Sequence, residues 1–441
     1  MRLRRLSKQG RHSHSFLSSS SKAQAAGRRA AQLVKERLSQ SERSCGEIKS
    51  QTKLAHAGIQ NCHNAPMAPP LHLATTYTRP PEGPYHDQDS IYTREDNPTR
   101  LLFEKALEEL EGIDGCTAFA FSSGMSAVSN IVLAHESPLH VILLPHDLYH
   151  GVAAVLGGVF TRFGVNVHSL QGSENVKSQL QAKLDEIPGS ENAIFWIETP
   201  SNPMTRVFDL KQLAQICASH GKSGNITTVV DSTLAPLQRP LDHGVDISMH
   251  SATKYLAGHS DVLAGVVTVH PKRRDLKDRV KQVQTAVGAV ASPLDSWLAL
   301  RGMRTLSVRL AQASHNALKL AQWLQAQPKI IKVHYPGLSS HTQHEIAREQ
   351  LGEHFGGVLS IELQDEVQAT AFVAGLTVAQ RATSLGGTET LVEHRASIEP
   401  DHRRTSPPGL VRISVGLENF EDLRQDFEQA IHIMGQACEN D

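Results

Sequence analysis

From Arg100 onward, apolar residues recur three and four apart. Leu102, Phe103, Ala106, Leu107 and Leu110 all fall on one side of "RLLFEKALEELEGI". That spacing predicts a helix with one buried face. Past it the pattern changes to short apolar runs closed by polar or small residues: "TAFAFSS", "HVILLP", "NAIFWIETP", "ITTVVDST", "VDISMHS" and "LAGVVTVH". Such runs read as strands buried on both faces. "SAVSNIVLAH" lies between two of them and reads as a helix. Strands separated by helical stretches predict an α/β fold with a mostly parallel sheet and helices on both faces. Residues 291–327 form one long helical stretch, whole or broken. They lead to a smaller C-terminal α+β domain with strands in "GGVLSIEL" and "LVRISVG". Residues 50–100 are rich in Pro, Thr, His and Tyr and weakly periodic, which suggests an extended arm. The expected organisation is an N-terminal extension over 1–49, the arm over 50–100, a large domain over 101–295 and a small domain over 296–441. No period of the length that marks repeat arrays stands out.

In an open parallel sheet, ligands sit beyond the carboxyl ends of the strands. The polar residues there are Ser122, Ser123 and Gly124, then Asp147 and Tyr149, Glu198 and Asn202, Asp231 and Thr233, and finally Ser251, Thr253 and Lys254. Together they hold a phosphate cradle, an aromatic plane, a carboxylate and a reactive amine. Pyridoxal phosphate needs that set. Lys254 would bond the cofactor aldehyde, for which it must be a neutral amine. Asp231 would pair with the protonated pyridine nitrogen. The backbone N–H groups of Ser123, Gly124 and Met125 would meet the phosphate at a helix N-terminus. Ser251 and Thr253 add hydroxyls. Tyr149 would stack on the ring or move a proton. Arg94, with Tyr92, suits a phosphate, and Arg412 suits a carboxylate. Each alone has a plainer reading: a surface lysine, a helix cap for Asp231, a tight turn, a core tyrosine, a surface ion pair. Their convergence favours the cofactor.

Charge and composition narrow this further. The first 35 residues carry nine lysines and arginines and no acid. The remainder holds 35 basic and 45 acidic residues. An acidic body argues against nucleic acid as a partner. The Arg-rich, Ser-rich, acid-free start has the composition of an organelle transit peptide, for a mitochondrion or plastid; a disordered basic tail on a cytoplasmic protein is the alternative. No apolar run is long enough for a membrane span. The five cysteines (Cys45, Cys62, Cys116, Cys217 and Cys438) form no CxxC pair, so neither a disulfide framework nor a zinc site is expected. His341 and His344 make a lone HxxH, and no metal site is expected.

Nine stretches carry a resemblance, in order along the chain: "TKLAHAG", "YTREDNPTR", "SSGMSA", "IETPSNP", "VVDSTLAP", "HSATKYLAGHSDVLAG", "VHYPGL", "TSLGG" and "VRISVGLE". From about Thr52 onward the chain resembles the cystathionine γ-lyase/γ-synthase family, the PLP-dependent trans-sulfuration enzymes of cysteine and methionine metabolism. The resemblance implies fold type I, as in aspartate aminotransferase, and homotetramers built from two active dimers. It implies that Lys254 forms the Schiff base, Asp231 faces the pyridine nitrogen and Tyr149 stacks on the ring. Gly124, Met125, Ser251 and Thr253 would lie on the phosphate, with Tyr92 and Arg94 reaching it from the adjacent subunit. Asn202, Ser384 and Arg412 match positions that hold the substrate's carboxylate end and the cofactor's ring oxygen.

The departures fall on the substrate side. Relatives that process cystathionine tend to carry an arginine where this chain has Ala154, and often Glu or Tyr where it has Thr383. Methionine γ-lyases carry a cysteine at the position of Gly151. The usual "HPAxMTH" reads His394, Arg395, Ala396, Ser397, Ile398 and Glu399; Arg395 would supply the missing positive charge. The expected activity is β- or γ-elimination by a carbon–sulfur lyase. Replacement on an activated homoserine with cysteine is the alternative. A non-catalytic PLP-binding protein is a remote third reading, opposed by Lys254, Tyr149 and Asp231.

Overall fold

The run Thr117–Phe121 forms β1, followed by β2 (Leu139–Leu144), β3 (Val165–Ser169), β4 (Asn192–Glu198), β5 (Ile226–Asp231), β6 (Ile247–Ser251) and β7 (Gly265–Val269). They make one seven-stranded sheet in the order β1-β7-β6-β5-β4-β2-β3. This computed structural model describes residues 49–59, 66–78, 91–145, 148–171, 175–221, 223–399 and 406–438, with Arg28, Arg29 and Gln32. Apart from Arg28, Arg29 and Gln32, the expected transit segment lies outside the described residues, as does Asp147.

Both faces of the sheet are buried, and alternate residues of each strand serve opposite faces. Val141, Leu143, Ile194 and Trp196 pack with Val128, Ile131 and Val280 on one side. Ile142, Leu144, Phe195 and Ile197 pack with Leu180, Leu210 and Leu213 on the other. Trp196 and Phe195 are fully buried, each worth roughly 1.5–3 kcal/mol of apolar transfer. An unbroken apolar run is therefore what such a strand requires.

β2 runs parallel to β3 and β4, β4 to β5, and β5 to β6. β7 is antiparallel to both of its neighbours, β6 and β1. Its run "LAGVVTVH" carries no sign of that reversal in its own pattern. The reason lies in the connection 252–264, which contains no helix. A parallel return needs a crossover of a dozen or more residues, usually helical. Without a crossover helix the chain turns straight back, so Ser251 and Gly265 face each other across the connection. Lys254 rides on that connection.

The long helical stretch is two helices, Pro293–Met303 and Leu306–Gln325. At the break, Arg309 folds back and donates Nη2 to Gly302 O at 2.7 Å and Nη1 to Tyr255 O at 2.8 Å. A Cβ at Gly302 would stand 2.1 Å from Ala257 O. The break thus lets the helix pair press on the lysine connection.

A second sheet holds β8 (Lys332–His334), β9 (Val358–Glu362), β10 (Gln380–Arg381), β11 (Leu391–His394) and β12 (Leu410–Ser414) in the order β10-β11-β12-β9-β8. Leu359, Ile361, Val411 and Ile413 pack against Leu320, Phe372 and Phe427 of its helices. The sequence pattern foresaw β9 and β12 but not β3, β8, β10 or β11. β8, β10 and β11 are short or mix charged residues into the run, and β3 ("VNVHS") offers only two apolar residues, so periodicity is weak there. The first sheet ends at Val269 and the second begins at Lys332, with the expected domain boundary near 295 inside the helices between. Contacts group 50–441 as one unit. In the arm, Thr76 bridges Tyr92 and Trp297 Nε1 donates to Pro69 O at 2.8 Å.

Candidate active site

Three neighbouring parallel strands deliver polar residues at their carboxyl ends, in the cleft. β4 ends at Glu198, β5 at Asp231 and β6 at Ser251, and Glu198 pairs directly with Asp231 across the ladder. One cavity beyond these ends is lined by Ser123, Gly124, Met125, Tyr149, Asn202, Asp231, Thr233, Ser251, Thr253, Lys254, Ser384 and Arg412. Of the residues expected at the site, Tyr92 and Arg94 do not line it. Tyr92 is exposed on the arm, and Arg94 Nη1 donates to Thr285 O of its own chain at 2.6 Å.

Lys254 is largely buried, and its Nζ donates to Ser384 Oγ at 2.7 Å. Burial, with the Arg412 charge adding to it and Glu393 opposing, pulls its amine down to about 8. Ser384 has a φ of +85°, a backbone state that non-glycine residues rarely adopt. It turns one residue toward two partners: the hydroxyl accepts from Lys254, and the carbonyl accepts from Arg412 Nη2 at 2.7 Å.

Asp231 is buried and accepts from Thr233 N at 3.0 Å and Thr233 Oγ1 at 2.6 Å. Burial raises its pKa; the Thr233 hydrogen bonds and the His250 charge oppose that. A cation opposite would be welcome to such a carboxylate. Thr233 Oγ1 also accepts from Ser251 N at 2.8 Å. One threonine therefore ties the acid to the serine at the end of β6.

The helix Gly124–Leu133 opens into the cavity with Ser123 as its cap, accepting from Ser126 N at 3.0 Å. The N–H groups of Gly124 and Met125 come before the helix's own acceptors begin. A Cβ at Gly124 would stand 3.3 Å from Ser251 Oγ, so glycine leaves open the space an anion needs. Thr253 Oγ1 donates to Ala264 O at 3.2 Å and accepts from Ala264 N at 3.1 Å. Its hydroxyl closes the lysine connection as well as facing the cavity.

Glu198, given no role by the sequence, organises the other wall. Its two oxygens accept from Tyr149 N at 2.8 Å and Asn202 N at 2.7 Å. The Tyr149 ring lies over Gly151: a Cβ there would stand 2.5 Å from the ring as it is placed. Gly151, which looked like a substrate-side departure, thus seats the tyrosine ring. Sequence reasoning placed Glu198 at the cleft without a role, and it missed Glu393. It is buried in β11, opposite Arg412 of β12, and lines the same cavity. Only the alternation within "LVEH", once recognised as a strand, could have put it there. Arg395 lines the cavity too, but it is buried and its Nη1 and Nε are engaged by carboxylates. Among the described residues, no group of three metal-ligating side chains gathers.

The fit to a phosphorylated pyridine aldehyde rests on these contacts. A helix start with a glycine gap receives the anion, a buried acid answers the ring nitrogen, and a desolvated lysine answers the aldehyde. Such a donor set on a mixed sheet, flanked by helices on both sides, defines a PLP-dependent enzyme of fold type I.

The comparisons agree. The profile of the Cys/Met metabolism PLP-dependent enzymes matches residues 51–432. Cystathionine beta-lyase of Lactococcus lactis subsp. cremoris is 38% identical over 390 residues, covering 86% of this chain and 98% of the relative. Cystathionine gamma-lyase of Homo sapiens is 37% identical over 375 residues, covering 83% and 88%. The crystal structure of cystathionine gamma synthase from Xanthomonas oryzae pv. oryzae, in complex with aminoacrylate and cysteine, superposes with a TM-score of 0.80 at 33% identity. It spans 89% of this chain and all of that one. This chain belongs to the Cys/Met metabolism PLP-dependent enzymes, and its cofactor is pyridoxal 5'-phosphate.

Proposed function

We propose that this enzyme is a carbon–sulfur lyase acting on cystathionine or a close sulfur amino acid, by elimination at the β or γ carbon. The observation that carries the α-amino-acid substrate is Ser384. One residue joins Lys254, on its hydroxyl, to Arg412, on its carbonyl. The group that exchanges with an amine and the group that receives a carboxylate are thereby held at a fixed separation, as the two ends of an α-amino acid require. Two lyases among the relatives support elimination.

Bound pyridoxal phosphate supplies an aldehyde carbon and an electron-withdrawing ring. The chain's residues do the rest. Gly124 N, Met125 N and Ser251 would hold the phosphate, with Thr253. Asp231 would keep a proton on the ring nitrogen, and Tyr149 would shield the ring from water. Arg412 and Asn202 would hold the substrate carboxylate. With its pKa near 8, roughly a tenth of Lys254 is neutral at pH 7, against about one part in three thousand for an ordinary lysine. As a neutral amine, Lys254 Nζ would take the substrate's α proton and return it at the carbon that loses the sulfur group.

Replacement on an activated homoserine is the second reading, favoured by the γ-synthase likeness. Incubation with cystathionine alone, and separately with an acylated homoserine plus cysteine, decides between them. The lyase reading expects ammonia and a 2-oxo acid from cystathionine. Release of cystathionine in the second mixture, with no turnover in the first, would overturn it. The family resemblance supports a homotetramer of two active dimers. The composition of residues 1–35 supports import into a mitochondrion or plastid rather than residence in the cytoplasm. Among the described residues, no helix is long and apolar enough to cross a membrane.

A further inference from the structure

Period-two geometry puts Glu393 and Arg395 on the same face of their segment, and Arg412 faces Glu393 across the β11–β12 ladder. A chain of charge-assisted bonds results. Glu393 Oε2 accepts from Arg412 Nη2 at 2.9 Å, and Glu393 Oε1 accepts from Arg395 Nη1 at 2.8 Å. Arg395 Nε donates to Glu399 Oε1 at 3.2 Å. Glu399 in turn accepts from Ser406 Oγ at 2.7 Å and Ser406 N at 3.1 Å. Arg395, Glu393 and Arg412 are each at least 96% buried. Arg412 Nε is buried with no partner. Arg395 and Glu399 are both departures from the "HPAxMTH" pattern, and here they bond to each other.

We propose that Arg395 is a positioning residue that sets how Arg412 receives the substrate's carboxylate. This rests on the reading above that Arg412 is that receptor. A carboxylate and a guanidinium left alone close into a two-bonded pair. Arg395 prevents that by holding one oxygen of Glu393, so Arg412 meets a single oxygen. Loss of Arg395 removes one positive charge from beside the place where an anion must land. Loss of the Glu399 charge removes one negative charge from the same network. In a buried site, where screening is weak, the two changes must act in opposite directions. The Arg395 charge is thus directed inward at Glu393, not outward at the far end of a substrate.

The test uses holoenzyme, checked by its visible cofactor band, and calorimetric binding of L-alanine and of L-alaninamide, which lacks the carboxylate. Arg395→Met should weaken L-alanine on the order of ten-fold and leave L-alaninamide within about two-fold. Arg395→Lys should fall between. Glu399→Gln should tighten L-alanine by about three-fold and leave L-alaninamide unchanged. In turnover, KM for the amino acid should move with these values and kcat should not. Equal weakening of both ligands by Arg395→Met would mean a merely structural role and would overturn the proposal, as would no change in either. Where Arg395→Met does not fold, Glu399→Gln decides, since weaker L-alanine binding there contradicts the charge balance. Arg412→Leu separates the two readings. If it leaves the preference for L-alanine over L-alaninamide intact, Arg412 is not the carboxylate receptor. If it abolishes that preference while the Arg395 and Glu399 variants change nothing, only the present inference fails.

Discussion

Lys254 works only as a neutral amine, and its surroundings decide how often it is one. Burial contributes most to lowering its pKa to about 8, and Arg412 adds to it. The consequence is a pH profile. When apo-protein is mixed with pyridoxal phosphate, the rate at which the visible band appears should rise about ten-fold per pH unit and level off near pH 8. The sign follows from the charged form being the one burial disfavours, so reactivity arrives at lower pH than for a free lysine. A rate that keeps climbing toward pH 10 would place Lys254 in water. Ser384 belongs at this scale too. Its positive φ is a local cost, maintained because the carbonyl and hydroxyl of one residue then meet Arg412 and Lys254.

At the scale of elements, the reversal of β7 matters most. It brings Gly265 beneath the turn that opens the Gly124–Leu133 helix, where an added Cβ would stand 2.2 Å from Ser123 O. Backbone cannot yield as a flexible side chain can. Gly265→Ala should therefore shift the turn, cost about 3 kcal/mol of stability or more by overpacking, and weaken pyridoxal phosphate at least ten-fold. Gly157→Ala is the contrasting case. Nothing lies within 4 Å of its added Cβ, and it sits in the helix His150–Gly158. It should leave cofactor affinity unchanged and stabilise by up to about 1 kcal/mol. Thermal denaturation and a cofactor titration of the two variants read both effects.

At the scale of the whole molecule, the arm keeps Arg94 away from its own chain's site. Arg94 lies outside the cavity of its own chain and bonds to Thr285 O. We expect it to serve the phosphate of a neighbouring subunit. Arg94→Ala and Lys254→Ala subunits, each inactive alone, can be mixed and allowed to exchange. About half the dimers are then hybrids with one site free of both lesions, so activity should recover to about a quarter of wild type if sites act independently. No recovery after verified exchange would assign Arg94 to its own chain, or to no cofactor role.

The sequence by itself determined the parts whose meaning is local. An apolar run reads as a buried strand wherever it falls, and a polar residue at its carboxyl end marks the cleft. That was enough to select Lys254, Asp231, Ser251 and the Ser123–Gly124 turn, with Arg412 as a partner for a carboxylate, and family motifs added Ser384. What only the tertiary structure decided are relations between distant segments. Lys254 meets Ser384 130 residues away, and Arg412 meets Asn202 210 residues away. The direction of β7 depended on a connection without a helix, which the strand's own residues do not encode. Glu198 and Glu393 read in the sequence as a strand-end acid and an ordinary glutamate. Their partners, Tyr149 N and Asn202 N for one and two arginines for the other, exist only after the strands have been laid side by side. Hydrogen bonds and ion pairs act over a few ångströms, and the folded sheets alone bring these groups within that range.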